Sequence, residues 1–166
     1  MNTDAEEPDT RWLEAEERAA WLSLASVLMR LQPALDAQLK RDAGVSHFEY
    51  QILAALSESP ERTLRMSALA ELAEGSLSRL SYAVGRLEKA QWVRRLPDPA
   101  DGRSTLAILT GAGWDKVVDT APGHVAEVRR LVIDPLTKAQ LRQMTAINRR
   151  VLAAIDPEDA CSRFPE

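Results

Sequence analysis

The stretch of sequence that decides the fold is WVRRLPDPADGRSTLAILTGAG, residues 92–113. Within it, two runs that favour extended structure, 93–96 and 104–109, flank a segment with two prolines and a glycine. The prolines exclude a helix there, and the glycine and aspartates favour a turn. The pattern therefore predicts a β-hairpin that goes out, turns and returns, with the basic residue Arg103 at its tip.

Helical patterns lie on the amino-terminal side of this hairpin. Apolar residues recur at helical spacing after Thr10, a suitable N-cap, and the predicted helix continues until Gly44 acts as its C-cap. Ser46 and Glu49 form a capping box that starts a second helix. The short run 63–65 then predicts a third strand beside the hairpin.

Two shorter helices directly precede the hairpin. The first begins at Met66 and is broken by Glu74 and Gly75, and Ser76 caps the second, over 77–90. Two helices joined by a tight, glycine-containing turn are typical of a helix-turn-helix. The residues of this pair that we expect to face the core are Leu69, Ala70, Leu72, Ala73, Leu77, Leu80, Val84 and Leu87.

After the hairpin, the pattern predicts a helix over 111–133 and a last helix, capped by Thr137, that ends near residue 155. The first and last helices carry more apolar surface than a small winged domain can cover, which favours a dimer. The predicted fold class is mainly α (α+β): a winged helix-turn-helix with long N- and C-terminal dimerisation helices. We expect a single domain over 1–166, with dimerisation helices at about 10–45 and 111–155 and the winged helix-turn-helix at about 46–110.

Charge is unevenly distributed along the chain, whose formal net charge is −4. Residues 62–103 carry eight basic and five acidic side chains, which gives +3 for this segment and −7 for the remainder. A basic segment between acidic flanks fits a local nucleic-acid footprint and argues against indiscriminate binding of nucleic acid.

The outward face of the helix over 77–90 suits a DNA major groove. Serine hydroxyls bond to base edges or phosphates, arginine holds guanine through two hydrogen bonds, and a helix N-terminus favours a phosphate oxygen. When this helix is taken alone, the alternative interpretation is the ordinary solvated face of an amphipathic helix. The basic hairpin that follows it favours DNA binding instead. The predicted DNA-binding residues are Ser76, Ser78, Arg79, Ser81, Tyr82, Arg86, Arg95, Asp101 and Arg103.

Arg103 has the length and charge to enter a narrow minor groove, where the negative potential is strongest. Asp98 and Asp101 lie close to it in sequence. They have two possible roles: bonding to the backbone of the turn, or, for one of them, pairing with the Arg103 guanidinium to hold its direction.

These residues resemble the MarR family of winged helix-turn-helix regulators over about 21–155. The most specific part is DPADGR, residues 98–103, followed by the returning strand STLAILT. The resemblance implies a homodimer that binds a palindromic operator in double-stranded DNA; in many members a small aromatic or phenolic effector releases the DNA. Gln91 and Gly75 depart from the family pattern, which commonly has a glycine after the recognition helix and an apolar residue before it.

The predicted function is that of a sequence-specific DNA-binding transcriptional regulator, a homodimeric repressor released by a small ligand. Two alternatives stay open: a dimeric winged-helix module that binds a protein partner without an operator, and a transcriptional activator. Trp21, His47 and Phe48 are the candidate ligand-binding residues, and packing in the core or the dimer is the other interpretation of all three.

Other classes of function find little support in the sequence. His47 and His124 are the only ordinary bases at neutral pH, and neither has a convincing nucleophile beside it. There is no glycine-rich phosphate loop or metal-ligand cluster, so we expect no enzyme, cofactor or metal site. No secretory signal is visible, which predicts a cytoplasmic protein without a membrane partner, and the lone Cys161 is expected to be an incidental thiol.

Overall fold

The computed structural model describes residues 10–73 and 76–156. The chain divides into two compact units between Ala34 and Leu35, and the expected single domain over 1–166 stays a prediction. Helix α1 spans Ala15–Ala43 and includes Pro33. Helix α1 therefore begins five residues after Thr10, the N-cap expected from the sequence.

The start of α1 is explained by a hydrogen bond that replaces the expected cap. The backbone N–H of Glu14 donates to Oε2 of Glu17 at 3.0 Å, and the N–H of Arg18 donates to the carbonyl of Glu14 at 2.8 Å. The first bond satisfies one of the donors that the start of a helix leaves without partners, and the second is the first regular bond of the helix. At the other end, Gly44 has a φ of +66°, the left-handed conformation expected of a glycine C-cap.

The second unit contains the remaining helices and all the strands of the described residues. A 3₁₀ turn (Pro60–Arg62) precedes the first strand, and a π-helical turn (Arg129–Ile133) lies between the last two helices. The elements are α2 (His47–Glu58), β1 (Thr63–Arg65), α3 (Met66–Leu72), α4 (Leu77–Lys89), β2 (Val93–Asp98), β3 (Asp101–Leu109), α5 (Gly111–Val128) and α6 (Lys138–Ile155). This order confirms the predicted winged helix-turn-helix, while Gly75, Cys161 and the turn between α3 and α4 lie outside the described residues.

The three strands form one antiparallel sheet in the order β1-β3-β2, which confirms the predicted third strand. The hairpin is longer than the sequence suggests, because β2 continues through Asp98 and β3 begins at Asp101. Pro97 is tolerated because β2 is an edge strand of this sheet.

The core of the second unit lies between the helices α2, α3 and α4 and the sheet. Its fully buried side chains include Ile52, Leu53, Leu56, Leu69, Leu80 and Val84. Two expected core residues are exceptions, since Leu72 is 49% exposed and Leu77 is 59% exposed. Each occupies a helix end, the last residue of α3 and the first of α4. Helical periodicity shows which face is apolar but not where along its axis a helix leaves the core.

Helix α4 ends in a Schellman motif built without glycine. Gln91 has a φ of +62°, the N–H of Trp92 donates to the carbonyl of Leu87 at 3.0 Å, and the N–H of Gln91 donates to that of Glu88 at 2.9 Å. Gln91, which stands where the family commonly has a glycine, thus adopts a conformation that is costly for a residue with a Cβ. Among the described residues, no helix is long and apolar enough to cross a membrane.

Candidate nucleic-acid interface

Helix α4 presents a polar face opposite its buried side. Leu80, Ala83, Val84 and Leu87 are buried, whereas Ser78, Arg79, Ser81, Tyr82 and Arg86 are exposed, as the sequence predicts. Oγ of Ser76 accepts the N–H of Arg79 at 3.2 Å, so Ser76 is the N-cap. The structure therefore brings the predicted recognition residues together on one face of one helix.

Two arginines of this face contact α2. The guanidinium of Arg79 lies 4.1 Å from the centroid of the Phe48 ring, within the range of a cation–π contact. Nε of Arg86 lies 3.0 Å from Oε1 of Glu49, whose side chain is only 6% exposed. The other oxygen of Glu49 accepts the N–H and the hydroxyl of Ser46 at 2.8 and 2.9 Å. Glu49 thus completes the capping box of α2 and also holds the recognition helix, a second role that the capping pattern alone does not reveal.

Arg95, a predicted DNA ligand on β2, is bonded to α4. Its Nε and its backbone N–H donate to the carboxylate of Glu88 at 2.8 and 2.9 Å, and its Nη1 donates to Oγ of Ser81 at 3.3 Å. Because both oxygens of the Glu88 carboxylate accept hydrogen bonds from Arg95, the base of the hairpin is fixed against the recognition helix. Arg95 acts here as a link between hairpin and helix.

The outer part of the hairpin is held by a buried carboxylate. Oδ2 of Asp98 accepts Nε of Arg65 at 2.8 Å and lies 2.8 Å from its Nη2, a contact of two guanidinium nitrogens with one oxygen. Oδ1 of Asp98 accepts the N–H of Ala100 at 2.9 Å, which shapes the turn. Asp98 therefore shapes the turn and anchors the hairpin to β1, instead of pairing with Arg103.

Arg103 is exposed, but it does not lie in the turn itself. Pro97 pairs with Thr105 and Asp98 with Asp101, so 102–104 form a bulge on β3 with Arg103 at its centre. Asp101 accepts the backbone N–H of Arg103 at 3.1 Å and the hydroxyl of Ser104 at 2.9 Å. Within the described residues, the Arg103 guanidinium makes no hydrogen bond or ion pair, and the expected carboxylate partner for it is wrong.

These two hydrogen bonds also favour the charged form of the Asp101 carboxyl. The hydroxyl of Ser104, and next the N–H of Arg103, lower the pKa of the Asp101 carboxyl below its ordinary value. The bulge is thus organised around a charged carboxylate at neutral pH, and the carboxylate positions the backbone of Arg103 and leaves its side chain exposed.

The base of the hairpin is closed by the start of α5. The hydroxyl of Thr110 donates to the carbonyl of Gln91 at 2.7 Å and accepts the N–H of Gly113 at 3.0 Å. A Cβ at Gly113 would collide with the carbonyl oxygen of Trp92 and lie 2.7 Å from Cδ1 of Leu109. Only glycine allows α5 to approach the backbone that follows the recognition helix this closely.

A second cluster, which we call the histidine cluster, consists of Gln38, His47, Tyr50 and His124 at the junction of α1, α2 and α5. The His124 ring centroid lies 5.7 Å from that of His47 and 4.8 Å from that of Tyr50. Nδ1 of His124 lies 3.3 Å from Oε1 of Gln38, and Nε2 of Gln38 donates to Asp42 at 3.0 Å. Since Asp42 orients the amide, its oxygen faces His124, and Nδ1 of the imidazole is the donor.

Burial lowers the pKa of both imidazoles of the histidine cluster, and for His47 the nearby His124 lowers it further. Asp36 opposes this effect at His47 by its charge, and it also accepts the backbone N–H of His47 at 2.9 Å. The ion pair with Lys40 and the His47 N–H in turn lower the pKa of Asp36. Neutral imidazoles are therefore favoured in the folded chain.

The three predicted ligand-binding residues have different settings. Phe48 is buried in the core under Arg79, and His47 is half-buried in the histidine cluster. Trp21 is 55% exposed and belongs to the first unit. A ligand-binding role for these residues stays a prediction.

We expect the free energy of unfolding to fall as the pH is lowered from about 7.5 to about 5.5. The folded-state pKa of His47 and of His124 lies below the ordinary value of 6.5, so the unfolded chain binds more protons in this window. The stability contributed by the neutral imidazoles is complete above 6.5 and is lost below it. Urea unfolding at constant protein concentration measures the effect.

The control for this pH dependence is the double variant His47→Gln, His124→Gln. The carboxyls of Asp36 and Asp101 start from an ordinary pKa of 3.8 and are lowered further, so they titrate below the window. The double variant should lose less stability than the natural chain between the two pH values, and an equal loss would contradict the assignment.

Comparisons with known proteins agree with this geometry. A model of the MarR family matches residues 43–104. The chain is 46% identical to Sco3205 of Streptomyces coelicolor, a MarR family transcriptional regulator solved in complex with DNA, and the match covers 94% of this chain and 98% of that one with a TM-score of 0.86. AbsC, a MarR family transcriptional regulator from the same organism, is 36% identical over 88% of this chain and 98% of its own, with a TM-score of 0.83.

A curated relative extends the likeness to a second organism. The HTH-type transcriptional regulator MhqR of Bacillus subtilis (strain 168) is 27% identical over 134 residues, which are 78% of this chain and 90% of MhqR. The family match runs from the end of α1 into β3, and the match to Sco3205 extends over nearly the whole of both chains. The chain therefore belongs to the MarR family of winged helix-turn-helix regulators.

Proposed function

We propose that this chain is a homodimeric transcriptional repressor that binds a palindromic operator and is released from it by a small ligand. The observation that carries the proposal is the exposed polar face of α4 beside a hairpin with the exposed Arg103 on its bulge. A recognition helix reads base edges in the major groove, and a neighbouring basic hairpin contacts the backbone or the minor groove. The complex of the 46% identical Sco3205 with DNA supports this function.

The predicted contacts divide into two kinds. Ser78, Ser81 and Tyr82 face the base edges, and the helix N-terminus at Ser76 favours a phosphate. Arg103 supplies the minor-groove or phosphate contact. The main role of the other three arginines is to hold α4 and the hairpin in place, since each already has a protein partner. These are Arg79, Arg86 and Arg95.

Selection of genomic fragments by the purified protein tests operator binding. Bound fragments should share a sequence with twofold symmetry, with half-sites about 34 Å apart along the DNA, which is one helical turn. The position of that sequence relative to the promoter distinguishes a repressor from an activator. Failure to enrich any sequence would contradict operator binding and favour the alternative of a module that binds a protein partner.

The homodimer is supported by apolar faces that the single chain leaves exposed. On α6, which has no buried residue, Ile147, Val151, Leu152 and Ile155 follow one another at helical spacing on one side. In the first unit, Trp12, Leu28 and Met29 are each more than half exposed. A helix with an apolar stripe is stable in water only when a partner covers the stripe, and a second copy is the partner proposed here.

We expect a solution mass of about twice the chain mass of 18.4 kDa. Replacing Ile147 by Glu places a charge in the apolar stripe, and this variant should dissociate at concentrations where the natural chain is dimeric. Ala146→Glu is the matched control, since Ala146 lies on the opposite side of α6. Sedimentation equilibrium measures both, and a dimeric Ile147→Glu variant would remove α6 from the interface.

In this proposal, ligand release acts through the first turn of α2. His47 contacts the histidine cluster, while its neighbours Phe48 and Glu49 contact Arg79 and Arg86 of the recognition helix. A ligand that displaces the start of α2 would thus also displace α4. A screen of small aromatic and phenolic compounds in which operator affinity never changes would contradict this part of the proposal.

A further inference from the structure

The surface that α4 offers to DNA combines an exposed leucine and an exposed tyrosine ring with two serines. Leu77 is 59% exposed and Tyr82 is 73% exposed. Leu77 and Ser81, and likewise Ser78 and Tyr82, are four residues apart, so the four side chains are neighbours on one face. We call this set the reading patch.

The two arginines on the exposed face of α4 each contact α2. The guanidinium of Arg79 stacks on Phe48, and that of Arg86 pairs with the buried Glu49. A bidentate arginine is the commonest means of selecting guanine in the major groove. With both guanidinium groups engaged by α2, the exposed face of α4 has little means of selecting a G·C pair.

The apolar part of the reading patch matches one chemical feature of the major groove. Thymine carries a C5-methyl group there, and apolar side chains recognise it by contact, while serine bonds to any base pair. An exposed leucine at the first position of a recognition helix gains free energy if such a methyl group covers it. Resting on the operator binding proposed above, we infer that Leu77 and Tyr82 select the C5-methyl groups of thymines in each half-site.

The inference is tested on the operator obtained by genomic selection. Each thymine of a half-site is replaced in turn by deoxyuridine, which removes the methyl group and leaves every hydrogen-bonding group in place. For the natural chain, at least one replacement should weaken binding about three- to fivefold, the loss expected for one buried methyl group. Fluorescence anisotropy at constant salt measures the affinities.

Variants of the reading patch identify the side chain responsible. Leu77→Ala should bind the thymine and deoxyuridine forms of one position equally, and Tyr82→Ala should do so at another. Leu72→Ala is the matched control, because Leu72 is an exposed leucine outside α4 and its loss should leave the discrimination intact. Circular dichroism verifies that each variant is folded.

A final arm distinguishes the methyl group from the rest of the A·T pair. At the position where Leu77→Ala removes the discrimination, a pair of 5-methylcytosine with guanine should bind the natural chain more tightly than a pair of unmethylated cytosine with guanine. Leu77→Ala should abolish this difference. Binding without any loss on deoxyuridine, or discrimination that survives both variants, overturns the inference while operator binding stands. Absence of all DNA binding overturns the proposed function itself.

Discussion

Replacing Arg103 by Ala weakens operator binding by about ten- to a hundredfold, the expected cost of about 1–3 kcal/mol for removing one specific arginine from the interface. Arg103 lies in a bulge of β3 with its guanidinium exposed and without a protein partner among the described residues. A cation placed in the minor groove or on a phosphate also releases counterions. The slope of log affinity against log salt should therefore fall by about 0.9 for each phosphate that the variant no longer neutralises.

Arg142→Ala is the matched control for Arg103→Ala. It removes the same charge from α6, where the side chain is exposed, and should leave affinity and salt slope nearly unchanged. Arg103→Lys keeps the charge without the planar guanidinium and should retain most of the salt slope. Unchanged affinity of Arg103→Ala for its own operator at several salt concentrations would remove the hairpin from the DNA interface.

Replacing Gly113 by Ala destabilises the fold by about 3 kcal/mol or more, the upper end of the cost of overpacking. The added Cβ would collide with the backbone carbonyl of Trp92, which cannot rotate away as a side chain can. Relief requires the start of α5 to move from the end of the recognition helix, which would break the bonds that Thr110 makes there. In thermal unfolding this cost lowers the melting temperature by roughly 6–12 °C.

Gly111→Ala is a close control for Gly113→Ala, two residues away in the same first turn of α5. A Cβ at Gly111 meets nothing within 4 Å, so alanine there should be neutral or stabilise the helix by about 0.5 kcal/mol. The two alanine variants should thus differ strongly in stability. Equal melting temperatures would contradict the close approach of α5 to Trp92.

Much of the fold is predictable because its signals are local. Ser46 and Glu49 form the predicted capping box of α2. Thr137 caps α6 as predicted, and Gln140 completes a second capping box there. The hairpin follows from its prolines, its turn residues and the alternation of its strands. The prediction that Leu77 faces the core is wrong because a helical period continues to the first residue of α4 even though the core does not.

The candidate interface is predictable as a set of exposed residues, but not as a set of contacts. Arg79, Arg86 and Arg95 have similar side chains, and nothing in their spacing shows that Phe48, Glu49 and Glu88 bind them. These partners are on α2 or on the far end of α4, and the pairing depends on how the elements pack. Arg103 differs from them because, within the described residues, its guanidinium makes no hydrogen bond or ion pair.

The sequence by itself determined the order of the elements, the family and the location of the exposed polar face of α4, because caps, turns and periodicity act over a few residues. Tertiary structure decided which charges remain available to a ligand. Arg65 and Asp98 are 33 residues apart, and Lys116 donates to the carbonyl of Ala43 across 73 residues. Such contacts depend on distances in space that spacing along the chain does not encode, and they leave two serines, a leucine, a tyrosine and Arg103 exposed on the surface for which DNA binding is proposed.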